Sequence, residues 1–274
     1  MSYNLRRLQE EQLTVLDELK RVCDENDLTF FLAAGTAIGA MRHHAFIPWD
    51  DDIDVFMHVN DFDKLMSIPD AFSKDYFLQN SQTDPSYPLA IARVRKNGTA
   101  CVEKDEMNIN CHHGIYLDIY PIYQIPDSFW GKIRIINASI MYRILLLNRA
   151  PQNHGRLIAF VGNSILKILN KKREVNLQKY YSVLRSYSNT QKVGILYGMD
   201  LKIGKLILYK REWFEKPMFV EFEGRKMPIS TDPILYLQCR YGEDVMEMPP
   251  IEKQKSYHQY EFVSFDSEYT PKMA

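Results

Sequence analysis

Apolar and polar positions along this chain change period several times, and each change marks an element. Between Leu5 and Cys23, residues Leu8, Val15, Leu16, Leu19, Val22 and Cys23 recur at helical spacing, which predicts an amphipathic helix packed on a sheet and carrying no chemistry of its own. Asp24-Glu25-Asn26-Asp27 ends it. Phe30-Phe31-Leu32-Ala33-Ala34 then reads as a buried strand running into Gly35-Thr36, and Ala37-Ile38-Gly39-Ala40-Met41 as the start of a helix. Beyond Pro48 the period becomes two, because the residue before a proline avoids helix and the apolar residues then alternate. On a strand, Asp50, Asp52 and Asp54 share one face, while Ile53 and Val55 point the other way into a core. Asn60-Asp61 predicts the N-cap of a short helix through Leu65 and Met66, which Pro69 ends.

Further strands are expected at Tyr76-Phe77-Leu78-Gln79, at Ala90 to Arg95, at Ala100-Cys101-Val102 and at Gly114 to Pro121. From Trp130 to Tyr180 the character shifts. Ten Lys and Arg residues there face only Glu174, and apolar runs at Ile144 to Leu147 and Leu157 to Val161 lie between them. Two accounts fit this pattern: a helical hairpin packed on the sheet, which we favour, or a basic apolar pair lying on an anionic membrane surface. Met218 to Ile229 reads as a hairpin turning at Glu223-Gly224. Thr231-Asp232-Pro233 starts a helix with a cap and a proline at its first position, and Gly242 ends it. These elements predict an α/β (α+β) fold, a mixed sheet core flanked by helices. Residues 1–127 form the core, 128–190 a basic helical insertion, and 191–274 a C-terminal hairpin-helix segment.

The chemistry concentrates in the acidic stretch. Carboxylates ~4 to 6 Å apart repel by roughly 1 kcal/mol in water and several times that in a cleft, so three on one face call for a positive partner. A hard cation with oxygen ligands fits best, and Mg²⁺ (or Mn²⁺) is held by a few carboxylates together with substrate phosphate oxygens. A glycine at a strand-to-helix turn lets a phosphate approach backbone N–H groups, which gives Gly35 and Thr36 a role as a phosphate seat. Asp118 lies inside an apolar strand, where a carboxylate is costly unless it is paired or metal-bound. Arg93 and Arg95 share a strand face and suit either diphosphate oxygens or a solvated edge.

Composition narrows the class. The 274 residues carry 34 Lys and Arg against 35 Asp and Glu, a net charge of −1, without the basic excess of a nucleic-acid binder. The N-terminal stretch is charged rather than apolar, and four scattered cysteines make no disulfide framework. Together these point to a cytoplasmic enzyme, with peripheral contact to the inner membrane face through residues 130–180 as an option.

The run from Ala34-Gly35-Thr36 to Arg42-His43, and from Phe46-Ile47-Pro48-Trp49 to Asp50-Asp51-Asp52-Ile53-Asp54-Val55, resembles the LicD family of phosphocholine transferases. These have the nucleotidyltransferase superfamily fold and are similar to the fukutin-related proteins. His113 to Pro121 resembles the matching family segment, with Tyr120 where phenylalanine is expected, and Phe222-Glu223-Gly224, Tyr236-Leu237, Tyr241-Gly242, Pro249-Pro250 and His258 resemble the family's end. The resemblance implies a metal-dependent phosphotransferase. An acceptor hydroxyl would attack the phosphorus of CDP-choline or a related CDP-alcohol, CMP would leave, and the acceptor would be a lipid-linked or free oligosaccharide such as a precursor of teichoic acid or lipopolysaccharide. Asp52 and Asp54 would hold metal with Asp50 beside them. Asp118 would orient a second metal or take the hydroxyl proton, and Arg42 would add a phosphate contact. Trp49 and Tyr116 are candidates for an aromatic cage around the quaternary ammonium. Two rivals remain: a nucleotidyltransferase moving NMP from an NTP, and a non-catalytic nucleotide- or sugar-binding protein. A zinc site like that of the fukutin-related proteins would draw on Cys101, Cys111, His112 and His113, but their spacing lacks a C-x₂-C pair. We therefore expect a reduced core cysteine and polar loop histidines there.

Overall fold

A computed structural model describes residues 3–148, 166–202 and 205–271, so the apolar run Leu157 to Val161 lies outside the described residues. Helix α1 (Leu5–Glu25) buries the predicted stripe of Leu8, Val15, Leu16, Leu19, Val22 and Cys23, and the Asn4 side chain accepts the Arg7 N–H at 3.1 Å to start it. Its role is larger than packing. Gln9 and Gln12, both buried on its inner face, donate to the backbone carbonyls of Asp50 and Asp51 at 2.9 Å each.

Strand β1 (Phe30–Leu32) leads into α2 (Ala34–His43), and β1 pairs antiparallel with β2 (Asp54–His58), with Phe31 opposite Phe56. The strand expected from Asp50 begins only at Asp54. Residues 50–53 lie outside the ladder, since the glutamines of α1 hold the carbonyls of Asp50 and Asp51. The alternation survives: Asp51 and Ile53 are fully buried, while Asp50, Asp52 and Asp54 line a cavity. Helix α3 (Val59–Met66) also departs from expectation. It begins at Val59 without a side-chain cap, and the Asp61 carboxylate instead accepts the Thr29 N–H at 3.1 Å.

Strands β3 (Tyr76–Gln79), β4 (Ala92–Lys96), β5 (Ala100–Glu103) and β6 (Tyr116–Ile125) follow. The main sheet runs β1-β2-β6-β4-β3. Its centre is β6, which pairs parallel with β2 and antiparallel with β4. Its C-terminal half pairs antiparallel with β7 (Lys192–Ile195), which also takes Tyr209–Lys210. The sheet is therefore mixed, and it takes strands from both sides of the helical insertion. Strand β5 belongs to a separate ladder with Tyr260–Ser264, which brings the end of the chain back to the acidic stretch.

Helix α4 (Phe129–Leu147), capped by the Ser128 hydroxyl, packs against the helix Arg173–Leu184, whose Arg173 donates to the Leu145 carbonyl at 3.2 and 3.3 Å. Ile135, Ala138 and Leu184 are buried with Tyr123 and Ile125 of β6, so the described helices form a packed pair. Phe129 and Trp130 stay exposed, and no described helix is long and apolar enough to cross a membrane. The Met218–Phe222 and Arg225–Ile229 hairpin turns through Glu223 and Gly224, both with positive φ (52° and 73°), as a two-residue turn between twisted strands requires. The Pro233–Tyr241 helix is capped by Asp232, which accepts the Leu235 N–H, and it packs against α2. There the fully buried Tyr236 hydroxyl accepts the N–H of Ala34, a residue held at φ 47°.

That bond holds a non-glycine residue in the left-handed region, a conformation costing roughly 1–2 kcal/mol. Tyr236→Phe leaves the Ala34 N–H without its partner and should lower stability by about 1–3 kcal/mol. Thermal unfolding reads the loss, and an unchanged melting temperature contradicts it.

Candidate active site

A cavity of about 440 Å³ opens over the junction of β1, α2 and β2. Gly35, Asp50, Asp52 and Asp54 line it with Arg240, Tyr241, Tyr257 and His258. A Cβ on Gly35 would lie 2.6 Å from Asp50 Oδ2, so a larger residue there would displace that carboxylate. Thr36 is buried rather than open to a ligand: its hydroxyl accepts the Asp54 N–H at 2.9 Å and fixes the start of β2.

In the parallel register Asp54 stands opposite Asp118, so β6 delivers the acid that the sequence suggested beside the others. Asp118 lines an adjoining cavity of about 270 Å³, and Tyr120, Tyr197 and His258 line both. Arg93 is buried and donates from Nε to Asp118 Oδ1 at 2.6 Å and from Nη1 to Glu106 at 2.7 Å, stacked 3.9 Å above the Tyr116 ring. Arg95 is fully buried and donates to Gln79 Oε1 and the Gly114 carbonyl. Both arginines thus hold the protein's own acceptors, and Tyr116 is the floor beneath them. Arg42 donates to the Glu247 carbonyl at 2.7 Å, and Trp49 packs against the core; neither lines the cavity.

Three further residues complete the cluster. On the face opposite Asp50, Asp51 accepts from the Ser256 hydroxyl and from Tyr3, and His258 Nδ1 lies 3.1 Å from Asp51 and 3.6 Å from Asp52. The alternation that turns Ile53 and Val55 inward did not single out Asp51, and it gave no sign that a histidine 207 residues away would meet it there.

In the loop before β6, His112 Nδ1 accepts the Gly114 N–H and its Nε2 lies 2.9 Å from Asn97 Oδ1, while His113 Nε2 lies 2.8 Å from the Ile109 carbonyl and 3.8 Å from Cys111 Sγ. Cys101 is fully buried in β5, and burial raises its thiol pKa.

The chain is similar to known proteins. Residues 27–138, which carry the acidic stretch and Asp118, match the family described as LicD/FKTN/FKRP, nucleotidyltransferase domain. Over 262 residues the chain is 26% identical to the lipopolysaccharide cholinephosphotransferase LicD of Haemophilus influenzae, covering 92% of this chain and 96% of the relative. Over residues 27–138 the chain is similar to the LicD family.

The electrostatics of this site follow from burying several like charges together. Burial first, then Asp52 and Asp51, pushes Asp50 up to about 8. Burial chiefly raises Asp52 to about 6 against the opposing charge of His258, and burial with Asp52 and Asp118 holds Asp54 well above the usual carboxylate range. Burial alone would lower His258, but its hydrogen bond to Asp51 and the charges of Asp52 and Asp51 push it up to about 10. Ligand atoms of Asp51, Asp52 and His258 lie within 4.8 Å of one another, a group able to hold a metal ion. At neutral pH, however, a protonated His258 is a counterion rather than a ligand. The deficit lies on the cavity side, where Asp50 Oδ2 and Asp54 Oδ1 are buried with no hydrogen-bond partner among the described residues. Oxygens of this kind fit a hard divalent cation.

Raised carboxyl pKa values make the folded state bind more protons than the unfolded one above the ordinary carboxyl range, so stability falls with rising pH there. Without divalent metal, the melting temperature should drop between about pH 4 and about pH 8, the window set by Asp52 and Asp50. Mg²⁺ should raise it more at the upper end than at the lower. A metal-free melting temperature that rises across that window contradicts this account.

Proposed function

We propose that this protein transfers phosphocholine, or a similar phospho-alcohol, from a CDP-activated donor to a hydroxyl of a cell-surface glycan precursor such as that of lipopolysaccharide or teichoic acid. The observation that carries the reading is the alignment of Asp54 with Asp118 where two cavities meet, with Asp52 beside them and the unpartnered oxygens of Asp50 and Asp54 buried at the larger one. The name of the Haemophilus relative, which is similar over almost its full length, supports phosphocholine as the transferred group.

Asp50, Asp52 and Asp54 would hold Mg²⁺ or Mn²⁺, with Asp118 as a further ligand or as the base. Bound there, the ion supplies positive charge against the donor diphosphate and the charge that develops during in-line displacement. The chain's own residues do the remaining work. Gly35 keeps the space beside Asp50 open. Arg240, paired with buried Asp200, brings a cation into the larger cavity for the diphosphate, and Tyr197, Tyr241 and Tyr257 offer aromatic faces to the cytosine or the quaternary ammonium. Arg93 fixes one oxygen of Asp118, and among the described residues the other has only the Tyr120 hydroxyl, at 3.5 Å. That second oxygen takes the acceptor hydroxyl's proton. The acceptor oxygen forms the new bond to phosphorus as the bond to the bridging oxygen breaks and its electrons leave with CMP.

The match to a nucleotidyltransferase domain favours one second reading, nucleotidyl transfer from a triphosphate. The product separates the two: CMP from CDP-choline in one case, pyrophosphate from CTP in the other.

With Mg²⁺ and CDP-choline, Asp54→Asn should cut CMP release by ~10²-fold or more while the metal-free melting temperature holds or rises, because a repelling charge is gone. Asp118→Asn should cost comparable activity and also destabilise the fold by up to about 3 kcal/mol, since Arg93 loses one buried partner and keeps Glu106 at 2.7 Å. Full activity in Asp54→Asn removes the carboxylates from the chemistry.

A further inference from the structure

The smaller cavity, lined by Asp118 and His258, does not end at the carboxylates. It shares Pro88, Ile109 and Leu147 with an open groove of about 510 Å³, and this groove shares Pro85, Leu146 and Arg173 with a third cavity of about 360 Å³. The three form one path. One wall is made by residues 80–91 between β3 and β4 and by the loop after β5. The other is the C-terminal end of α4 and the start of the Arg173–Leu184 helix.

Lining chemistry changes along this path. Near Asp118 it is acidic, with Glu103, Asp105 and Glu106. Past Pro88 the polar groups are mostly neutral, with Ser86, Asn108, Asn110 and Asn148 in the groove and Ser81, Gln82 and Gln178 beyond it, beside the paired charges of Arg173 and Glu174. Among the described lining residues of this stretch the cation is Arg173, held to the Leu145 carbonyl and to Glu174. Amides and hydroxyls each donate and accept, which matches sugar hydroxyls that do the same, and the rings of Tyr142 and Tyr181 give flat faces for the C–H side of a sugar. A polyanion would need several free cations here. Tyr87 adds an independent sign of a ligand. It is 1% exposed and lines the far cavity, yet its hydroxyl has no hydrogen-bond partner among the described residues. A buried hydroxyl left unpaired is unfavourable, and a ligand hydroxyl would satisfy it.

We propose that this path is the acceptor subsite: it binds a neutral oligosaccharide of several sugars, with the reacting hydroxyl at Asp118 and the distal sugars against Tyr142 and Tyr181. The identity of the reacting end rests on the transfer reaction proposed above; the binding of sugar does not.

The side chains of Gln82 and Gln178 are exposed and make no hydrogen bond to another described residue, and Tyr87→Phe removes only the unpaired hydroxyl, so neither change threatens the fold. The probe is an array of mono- to tetrasaccharides of hexose and N-acetylhexosamine, followed by calorimetric titration of the best tetrasaccharide and of its terminal sugar. The tetrasaccharide should bind at least ~10-fold tighter than the single sugar, and the double variant Gln82→Ala/Gln178→Ala and Tyr87→Phe should each lose about 5-fold or more. Tyr87→Phe should melt no lower than the unaltered protein. The proposal is overturned if no arrayed glycan binds, if affinity is independent of length, or if the variants bind as well as the parent. CDP-choline hydrolysis by the unaltered protein without glycan is read separately. Glycan binding as described with no donor cleavage upholds the groove and sinks the transfer reaction; donor cleavage with glycan binding indifferent to the variants does the reverse.

Discussion

Asp50, Asp51, Asp52, Asp54 and Asp118 converge on a few buried positions, and the surrounding structure distributes the resulting repulsion. Asp51 is answered by Ser256, Tyr3 and His258, and Asp118 by Arg93, which Glu106 in turn holds. These pairings explain why the polar network reaches so far along the chain. The Tyr260–Ser264 strand must pair with β5 to bring Ser256 and His258 to Asp51, and α1 must lie where Gln9 and Gln12 fix the carbonyls beneath the carboxylates. Asp50, Asp52 and Asp54 remain undercompensated on the cavity side, and their raised pKa values measure that shortage. A fold tolerates such a concentration when a ligand supplies the missing charge.

This division of labour gives the two sides of the acidic stretch different meanings. On the buried side Asp51, held by Ser256, Tyr3 and His258, is self-compensated and holds the chain in place. On the cavity side Asp50, Asp52 and Asp54 face open space, which the proposed transfer would fill with a cation and the donor diphosphate. Arg93 sits between the two roles, because its guanidinium fixes one oxygen of Asp118 while leaving the other with a long contact to Tyr120.

Local pattern carried much of this. The strand and helix around Gly35, the alternation that puts Asp50, Asp52 and Asp54 together, and the capped helix after Asp232 each depend on neighbours within a few residues and are legible for that reason, although the helix begins at Ala34 and so takes Gly35 and Thr36 into its first turn where a glycine turn was expected. Asp118 was legible because an acid within an apolar strand is conspicuous. The burial of Arg93 and Arg95 was not, since a period-two pattern on a strand does not tell which face meets solvent. Nor was His258: it arrives through the pairing of Tyr260 with Glu103, a long-range register that no local spacing encodes. The late start of β2 and the uncapped α3 have the same origin, because side chains of α1 and the Thr29 N–H take the groups that local rules assign elsewhere.

Whether the cavity-side carboxylates are a cation site is open to direct observation. Anomalous diffraction at the manganese edge, from crystals soaked with Mn²⁺ and CDP-choline, locates the ion without reference to activity. The account requires a peak about 2 Å from oxygens of Asp52 and Asp54, adjoining the donor diphosphate. A peak confined to Asp51 and His258, or none at saturating Mn²⁺ with the donor bound, contradicts it.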